Sequence, residues 1–260
     1  MVRKGRPTVA GPWYDLVAGM GARDISAFEF KQGRILAGKY EVLEKLGGGY
    51  EGEVYKVRER GTGIERALKA FYPHRNENNQ ASIFYARKLH KLRNCPILIQ
   101  YHTEETIQVR RRPVKLLVSD YIEGELLSAY LKRQRGHRLH HFVGLQLLYE
   151  LARGVERIHA AGEYHGDLHT DNIILRRRGL SFDVKLIDFY FRPTTRAENR
   201  VDDLCDLVRL FYDSIGGKKH YGKQPPEVKA IIRGLRRTLI LERFRTVRAL
   251  RSHLETMEWA

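Results

Sequence analysis

Three polar side chains in the second half of the chain have the types needed for metal-assisted chemistry. Asp167 and Asn172 lie five residues apart in a loop before the apolar run 173–175, and Asp188 directly follows the largely apolar run 184–187. A hard divalent cation such as Mg²⁺ prefers a few protein oxygens together with water and substrate phosphates. Asn172 and Asp188 are therefore candidate metal ligands, and Asp167 is a candidate to hold a hydroxyl nucleophile near the metal.

The order of these residues resembles the protein-kinase-like superfamily. The string HGDLHTDN is similar to the catalytic loop H-R-D-L-x-x-x-N, and DFY is similar to the D-F-G that follows it. A lone Asp or Asn in a loop most often caps backbone groups, but turn chemistry gives no reason for the whole ordered string. The resemblance implies that Asp167, Lys69, Asn172 and Asp188 are catalytic, and that Asn172 and Asp188 hold Mg²⁺.

A glycine-rich turn between two alternating, strand-like runs lies upstream, in YEVLEKLGGGYEGEVYKV. Its glycines fit G-x-G-x-x-G-x-V, and residues without a Cβ let backbone N–H groups approach phosphate oxygens. A dinucleotide-binding fold requires a helix directly after the glycines, whereas a strand follows here. The pattern favours a kinase-like loop, and the resemblance implies that ATP is bound by Gly47, Gly49, Gly52 and Val54.

Two further parts of an ATP site are implied by the same resemblance. The run from Arg66 to Phe71 predicts a strand that places Lys69 among apolar neighbours. It is similar to the V-A-I-K strand, whose Lys holds the α- and β-phosphates. The run LLVSDYIEG resembles the hinge between the lobes, where the Asp120 carbonyl and the Ile122 N–H would face adenine.

The next predicted helix, from Asn76 to Leu92, departs from the family pattern. The family has a helix Glu that pairs with the strand Lys, and here Tyr85 falls at that position. No acidic residue occurs from position 78 to 103. Glu77 could substitute only if the helix register differs, and the spacing of the following leucines favours Tyr85 at the partner position.

The resemblance also implies roles for several residues around the catalytic loop. His165 is expected to support the loop by packing and hydrogen bonding, and Asp203 to brace its backbone. His169 stands where Ser/Thr protein kinases usually have a Lys, and its charge would vary near neutral pH. Only 15 positions separate Asp188 from Asp203 and no A-P-E motif lies between them, so Arg245 lacks the Glu with which the family Arg pairs.

The expected fold class is α+β: a bilobal protein-kinase-like fold with a small antiparallel sheet and one helix in the N-lobe, 38–121, and a mainly helical C-lobe, 122–260. The N-lobe is expected to have about five strands, two of them at 98–109 and 114–121. Residues 1–37 are expected to be an extension, docked through Trp13, Tyr14, Phe28 and Phe30. The predicted C-lobe helices are Glu125 to Arg135, His141 to Ala161, Asp203 to Ile215, Pro225 to Leu239 and Thr246 to Trp259.

Composition narrows the class of protein. A chain of 260 residues that is 42% apolar can bury a sizeable core. Its 47 Lys and Arg against 31 Asp and Glu give a net charge of +16, which favours an acidic partner on the basic surface. No apolar run approaches ~18 residues, so no transmembrane segment is expected. No apolar segment follows the basic N-terminus, so no secretory signal is expected either, and we expect a cytoplasmic protein.

Cys95 and Cys205 lack metal-site spacing and are expected to be buried free thiols.

Three functions stay open at the level of sequence, all with ATP and Mg²⁺ as cofactors. A Ser/Thr protein kinase is favoured, because the glycine loop and the C-terminal ERFRTVRAL are most similar to bacterial members of that family. HGDLH and the missing A-P-E favour a kinase for a sugar, lipid or other small-molecule hydroxyl acceptor. The missing helix Glu, with Tyr190 in place of Gly, favours a nucleotide-binding pseudokinase that acts by interaction.

Overall fold

A six-stranded antiparallel sheet forms the N-lobe, because apolar residues alternate along its strands and face a common core. The structure is a computed structural model that describes residues 24–179, 181–190 and 194–258. The strand order is β1-β2-β3-β4-β6-β5, one strand more than the sequence predicts. The strands are β1 Ile35–Leu36, β2 Tyr40–Gly48, β3 Gly52–Glu59, β4 Glu65–Phe71, β5 Tyr101–Val109 and β6 Arg112–Asp120.

The additional strand belongs to the segment that the sequence assigns to an extension. Ile25, Phe28 and Phe30 are buried in the same apolar cluster as one face of the sheet, so docking is confirmed for this part of the segment. Trp13 and Tyr14 lie outside the described residues. A domain boundary after residue 37 stays a prediction, but the core of the N-lobe includes side chains that precede it.

One helix, α1 Gln80–Lys91, packs beside the sheet and buries Tyr85 and Leu89. It begins four residues later than predicted, because Asn78 and Asn79 have left-handed backbone dihedrals that no helix interior adopts. Short 3₁₀ turns precede it. Through Tyr85 this helix contacts Asp188 of the C-lobe, as strand β4 does through Lys69.

The C-lobe begins with β7 Glu125–Leu126, α2 Leu127–Arg133 and the long helix α3 His141–Ala160. A three-stranded sheet follows, in the order β7-β8-β9, with β8 Ile173–Arg178 and β9 Ser181–Leu186. The loop before β8 carries Asp167 and Asn172, and Asp188 lies just after β9. The pairing of β8 with β9 therefore brings the ends of the two motif loops to the same edge, as Ile173 lies opposite Leu186.

Five helices complete the C-lobe in the described residues. They are α4 Arg196–Ser214, α5 Gly217–Tyr221, α6 Pro226–Ile232, α7 Arg237–Arg243 and α8 Val247–Thr256. Three helix predictions for the C-lobe were wrong. The helix predicted from Glu125 begins at Leu127, because Glu125–Leu126 pair with β8 as strand β7. Helix α4 begins at Arg196 rather than Asp203, because Thr195 and Glu198 form a capping box that starts it two turns earlier. The single helix predicted from Pro225 to Leu239 is two helices, because Gly234 has a φ of +61° and interrupts it.

The two thiols differ in exposure, and both are free. Cys95 is buried, as predicted, whereas Cys205 is only half-buried. Among the described residues no helix is long and apolar enough to cross a membrane.

Candidate active site

The lysine of β4 and the aspartate after β9 meet between the lobes. Lys69 Nζ lies 2.9 Å from Asp188 Oδ1, although 119 positions separate the two residues. Asp188 has a φ of +55°, in a region that residues other than glycine rarely occupy, and such strain is concentrated at functional sites. Burial raises the carboxyl pKa of Asp188, but the charge and hydrogen bond of Lys69 and the Tyr85 hydroxyl hold it below its ordinary value.

Tyr85 occupies the helix position at which the family has a glutamate, as the leucine spacing predicts. Its hydroxyl donates to Asp188 Oδ1 at 2.6 Å and accepts from the Phe189 N–H at 3.1 Å. Lys69 Nζ also lies 4.5 Å from the centre of the Tyr85 ring, a cation–π contact. Glu77 is exposed before the helix and has no ion pair with Lys69. The helix therefore orients the Asp188 loop through a neutral hydroxyl rather than through a carboxylate.

The carboxylate that joins Asp188 at the lysine comes from the glycine-rich turn. Glu51 Oε2 lies 2.8 Å from Lys69 Nζ. Burial alone would lower the pKa of Lys69, but the two carboxylates outweigh it and raise that pKa to about 12. The sequence interpretation missed Glu51, although an acidic residue inside a predicted phosphate-binding turn was a visible signal.

The glycine-rich turn connects β2 to β3 directly above this lysine. Val54 lies opposite Gly47 on one side and opposite Lys69 on the other, so the three residues are neighbours across the sheet. The Gly49 N–H donates to the Gly52 carbonyl at 2.9 Å and closes the turn. A Cβ at Gly52 would lie 2.0 Å from the Ala70 carbonyl oxygen, so only glycine fits there.

Asp167 and Asn172 face each other in the catalytic loop. Asn172 Nδ2 donates to the backbone oxygen and to Oδ2 of Asp167, both at 2.9 Å. His169 Nε2 lies 3.3 Å from Asp167 Oδ2, which raises the histidine pKa above its ordinary value. Burial opposes ionisation of Asp167, but the His169 contact and the Asn172 hydrogen bond leave its pKa lowered. Asp167 is therefore ionised at neutral pH.

His165 connects this loop to the Asp188 loop, as its expected supporting role requires. The Asp167 N–H donates to His165 Nδ1 at 3.3 Å, and Nε2 donates to the Ile187 carbonyl at 3.1 Å. These partners fix a neutral ring, and burial lowers its pKa to about 4. The bracing role predicted for Asp203 is confirmed: this fully buried carboxylate accepts from the His165 N–H at 2.7 Å and the Gly166 N–H at 2.8 Å.

The remaining predicted site residues lie at the link between the lobes or away from the site. Asp120 ends β6, where its side chain pairs with Arg66 at 3.1 Å, and Ile122 follows in the link to β7. Their adenine-facing backbone roles stay predictions. Arg245 is exposed and forms no ion pair in the described part of the chain, in agreement with the missing A-P-E glutamate.

The oxygen donors fit a divalent cation at Asn172 and Asp188. Both hydrogen bonds to Asp188 reach Oδ1, and Asn172 uses its nitrogen toward Asp167. Asp188 Oδ2 and Asn172 Oδ1 thus have no hydrogen-bond partner among the described residues, and oxygens of these types suit Mg²⁺. Within the same residues no group of three His, Cys, Asp or Glu side chains could hold a metal alone.

Comparison with known proteins identifies the family. Residues 40–221, most of the chain, match the family model described as "Protein kinase domain", and this chain belongs to the protein kinase domain family. It is 31% identical over 163 residues to a putative cyclin-dependent kinase F-2 of Oryza sativa subsp. japonica, covering 61% of this chain and 49% of that protein. It is 28% identical over 186 residues to cyclin-dependent kinase B2-2 of Arabidopsis thaliana, covering 70% and 59%. The chain thus spans about half the length of these curated relatives.

Solved structures show the same fold. The kinase domain of Mycobacterium tuberculosis PknI superposes with a TM-score of 0.62 at 19% identity, covering 88% of this chain and 99% of that one. A double mutant of the same domain gives a TM-score of 0.65 at 18% identity, with coverage of 88% and 98%. The α+β bilobal kinase fold predicted from the sequence is confirmed.

Proposed function

We propose that this protein is a Ser/Thr protein kinase that transfers the γ-phosphoryl group of ATP to a hydroxyl group. The observation that carries the phosphotransferase part of the proposal is the 2.9 Å contact of Lys69 Nζ with Asp188 Oδ1, which brings a cation of one lobe to a carboxylate of the other. The Ser/Thr part is supported by the similarity of the glycine loop and of ERFRTVRAL to bacterial Ser/Thr kinases. Catalysis of phosphoryl transfer consists mainly of positioning and charge stabilisation, and these groups supply both.

Each residue of the site has a role in this proposal. The backbone N–H groups of the glycine turn and the Lys69 ammonium bind the ATP phosphates. Asn172 Oδ1 and Asp188 would hold Mg²⁺, which would offset the negative charge of the bound triphosphate. Asp167 accepts a hydrogen bond from the acceptor hydroxyl and receives its proton as the phosphoryl group is transferred. The backbone of Asp120 and Ile122 receives the adenine.

Asp167 can be tested by a substitution that keeps its shape. Asp167→Asn removes the negative charge that receives the hydroxyl proton, so phosphoryl transfer should fall by a factor on the order of 10² or more while Mg²⁺-ATP affinity is retained. The exposed Asp183 of β9 offers a matched control, because Asp183→Asn makes the same chemical change away from Asp167 and its partners. An Asp167→Asn protein that transfers phosphate at the wild-type rate would remove Asp167 from the chemistry.

A small-molecule acceptor is the second candidate. Helix α4 begins at Arg196, only eight positions after Asp188, which leaves a short segment on which to hold a peptide. Purified protein should be incubated with labelled ATP and Mg²⁺, alone and with lysate separated into protein and small-molecule fractions. Label in Ser or Thr of proteins supports the first candidate, and label only in small molecules supports the second.

Label in neither fraction, with retained ATP binding, indicates a pseudokinase instead.

The cytoplasmic location and the acidic partner expected from the net charge stay predictions. Acidic peptides added to the same incubation test the partner directly, because a cationic surface should favour them at low ionic strength and lose that preference as salt is added.

A further inference from the structure

Lys69 has no carboxylate partner from helix α1. The helix carries no acidic residue, and Tyr85 fills the position that faces the lysine. A tyrosine hydroxyl with its pKa raised well above 10 by burial and by the charge of Asp188 is neutral at physiological pH. The helix therefore cannot hold the ammonium group of Lys69 by charge.

Glu51 supplies that charge from the opposite side. Its Oε2 atom lies 2.8 Å from Lys69 Nζ, and both side chains are largely shielded from water, with exposed fractions of 30% for Glu51 and 13% for Lys69. A charge-assisted hydrogen bond is stronger in such a setting than at an exposed surface. The contact therefore constrains where the ammonium group points.

The turn that carries Glu51 is fixed on both sides. The Glu51 carbonyl accepts from the Tyr72 N–H at 2.8 Å, which ties this residue to the end of β4. Gly52 packs directly on the Ala70 backbone. The neighbouring Tyr50 accepts a hydrogen bond from Arg75, whose guanidinium lies 3.9 Å from the centre of the Tyr50 ring. Glu51 thus approaches Lys69 from a backbone whose position is set by the sheet.

The donor count of Lys69 matches a positioning role. An ammonium group has three N–H donors, and Glu51 and Asp188 each accept one of them. The third donor is then available to an ATP phosphate, while Glu51 and Asp188 keep the other two. We propose that Glu51 is the positioning residue that aims Lys69 at the phosphates, in place of the absent helix glutamate. This inference rests on the proposed function, because it assigns Lys69 to phosphate binding.

An obstructing role for Glu51 would have a distinct signature in the affinity for nucleotide. A carboxylate beside the phosphate site also repels phosphates, and Glu51 acting only as a competitor would weaken nucleotide binding. Removal of its charge would then strengthen binding of Mg²⁺-ATP. The sign of the change in affinity therefore separates a positioning carboxylate from an obstructing one.

The test is a double-mutant cycle between Glu51 and Lys69. We expect Glu51→Gln to lower kcat/KM for ATP about tenfold or more, the size expected for loss of one charge-assisted hydrogen bond. In a Lys69→Met background the same change should have almost no effect, because Glu51 acts through the ammonium group. Glu77→Gln is the matched control, since it removes an exposed charge of the same lobe and should leave both values unchanged.

Binding measurements keep the test independent of turnover. Affinities for a non-hydrolysable Mg²⁺-ATP analogue and for adenosine should be measured for the same variants. Glu51→Gln should weaken the analogue at least threefold and leave adenosine binding unchanged, because only the phosphates meet Lys69. An equal loss in the Lys69→Met background, unchanged analogue affinity or tighter analogue binding would overturn the positioning role. Wild-type protein without phosphoryl transfer would contradict the proposed function alone, and the affinity cycle would still decide the role of Glu51.

Discussion

Gly52 illustrates how one position can determine the geometry of the glycine-rich turn. A Cβ at Gly52 would lie 2.0 Å from the Ala70 carbonyl oxygen, whereas nothing lies within 4 Å of a Cβ at Gly49. We expect Gly52→Ala to lower the free energy of unfolding by about 1–3 kcal/mol, because β3 must move away from β4. Gly49→Ala is the matched control and should change it by less than about 0.5 kcal/mol. Urea denaturation of both variants measures the difference, and equal stabilities would contradict the close contact.

Single residues were predictable where their chemistry belongs to a local motif. Lys69, Asp167, Asn172 and Asp188 were singled out because their order along the chain is distinctive. The structure brings Lys69 to Asp188 and Asn172 to Asp167, and their catalytic roles stay predictions. Glu51 was not found, although it stands visibly in the glycine-rich turn. Its importance depends on a tertiary contact between that turn and Lys69 of strand β4, which no spacing rule predicts. The same limit applies wherever a site residue acts through a tertiary contact rather than through a motif.

At the scale of elements, helix α1 buries a lysine without a hydrogen-bond partner. Lys88 Nζ has none among the described residues and lies 4.0 Å from the Tyr164 ring centre and 4.6 Å from that of Phe189. Burial lowers its pKa to about 8, which corresponds to a cost of about 3 kcal/mol for the charged form. Cation–π attraction to the aromatic rings offsets part of that cost. Lys88 is thus a place where the helix carries an unfavourable charge.

The lowered pKa gives a stability difference with a definite pH dependence. The unfolded chain keeps the Lys88 proton up to its ordinary pKa of 10.5, so wild-type stability gains as pH rises from about 8 toward 10.5. We expect Lys88→Met to be more stable than wild type by about 1–2 kcal/mol at pH 7, and the advantage to shrink toward pH 10. Lys91→Met is the control, because its half-exposed ammonium is already paired with Glu163 at 2.5 Å. Thermal denaturation across this pH range measures the stability difference between Lys88→Met and wild type. A difference that stays constant with pH would show that the Lys88 charge is not its cause.

Element boundaries were predicted least well where polar residues carry the helix signal. Helix α4 was assigned from its apolar stripe, which starts at Leu204, so its first two turns were missed. The sequence T-R-A-E at Thr195 contained a capping-box signature that locates the true start. The break at Gly234 was signalled by the glycine itself, which favours the end of a helix. The two-residue strand β1 offered no comparable signal, because it depends on pairing with β2.

At the scale of the whole molecule, the segment before β1 is part of the N-lobe. Buried Glu53 accepts hydrogen bonds from the Phe28 and Glu29 N–H groups, both at 3.3 Å, and from the Tyr55 hydroxyl. Lys45 Nζ lies 2.6 Å from the same carboxylate. Glu53 directly follows Gly52, so a single strand end connects the docked segment to the glycine-rich turn. The segment and the glycine-rich turn therefore share one support.

This shared support predicts that the segment stabilises the lobe. Phe28 is buried, and its ring stacks on Phe30 and on Tyr72, both with centroids 5.2 Å apart. Phe28→Ala should lower the free energy of unfolding by about 3 kcal/mol, because it removes a large apolar side chain from a closed cluster. Ile35→Ala in the adjoining strand β1 is the matched control: its side chain is 39% exposed, and its loss should cost less than about 1 kcal/mol. Urea denaturation of the whole chain measures both, and equal, small losses would mean that the segment does not belong to the core in solution.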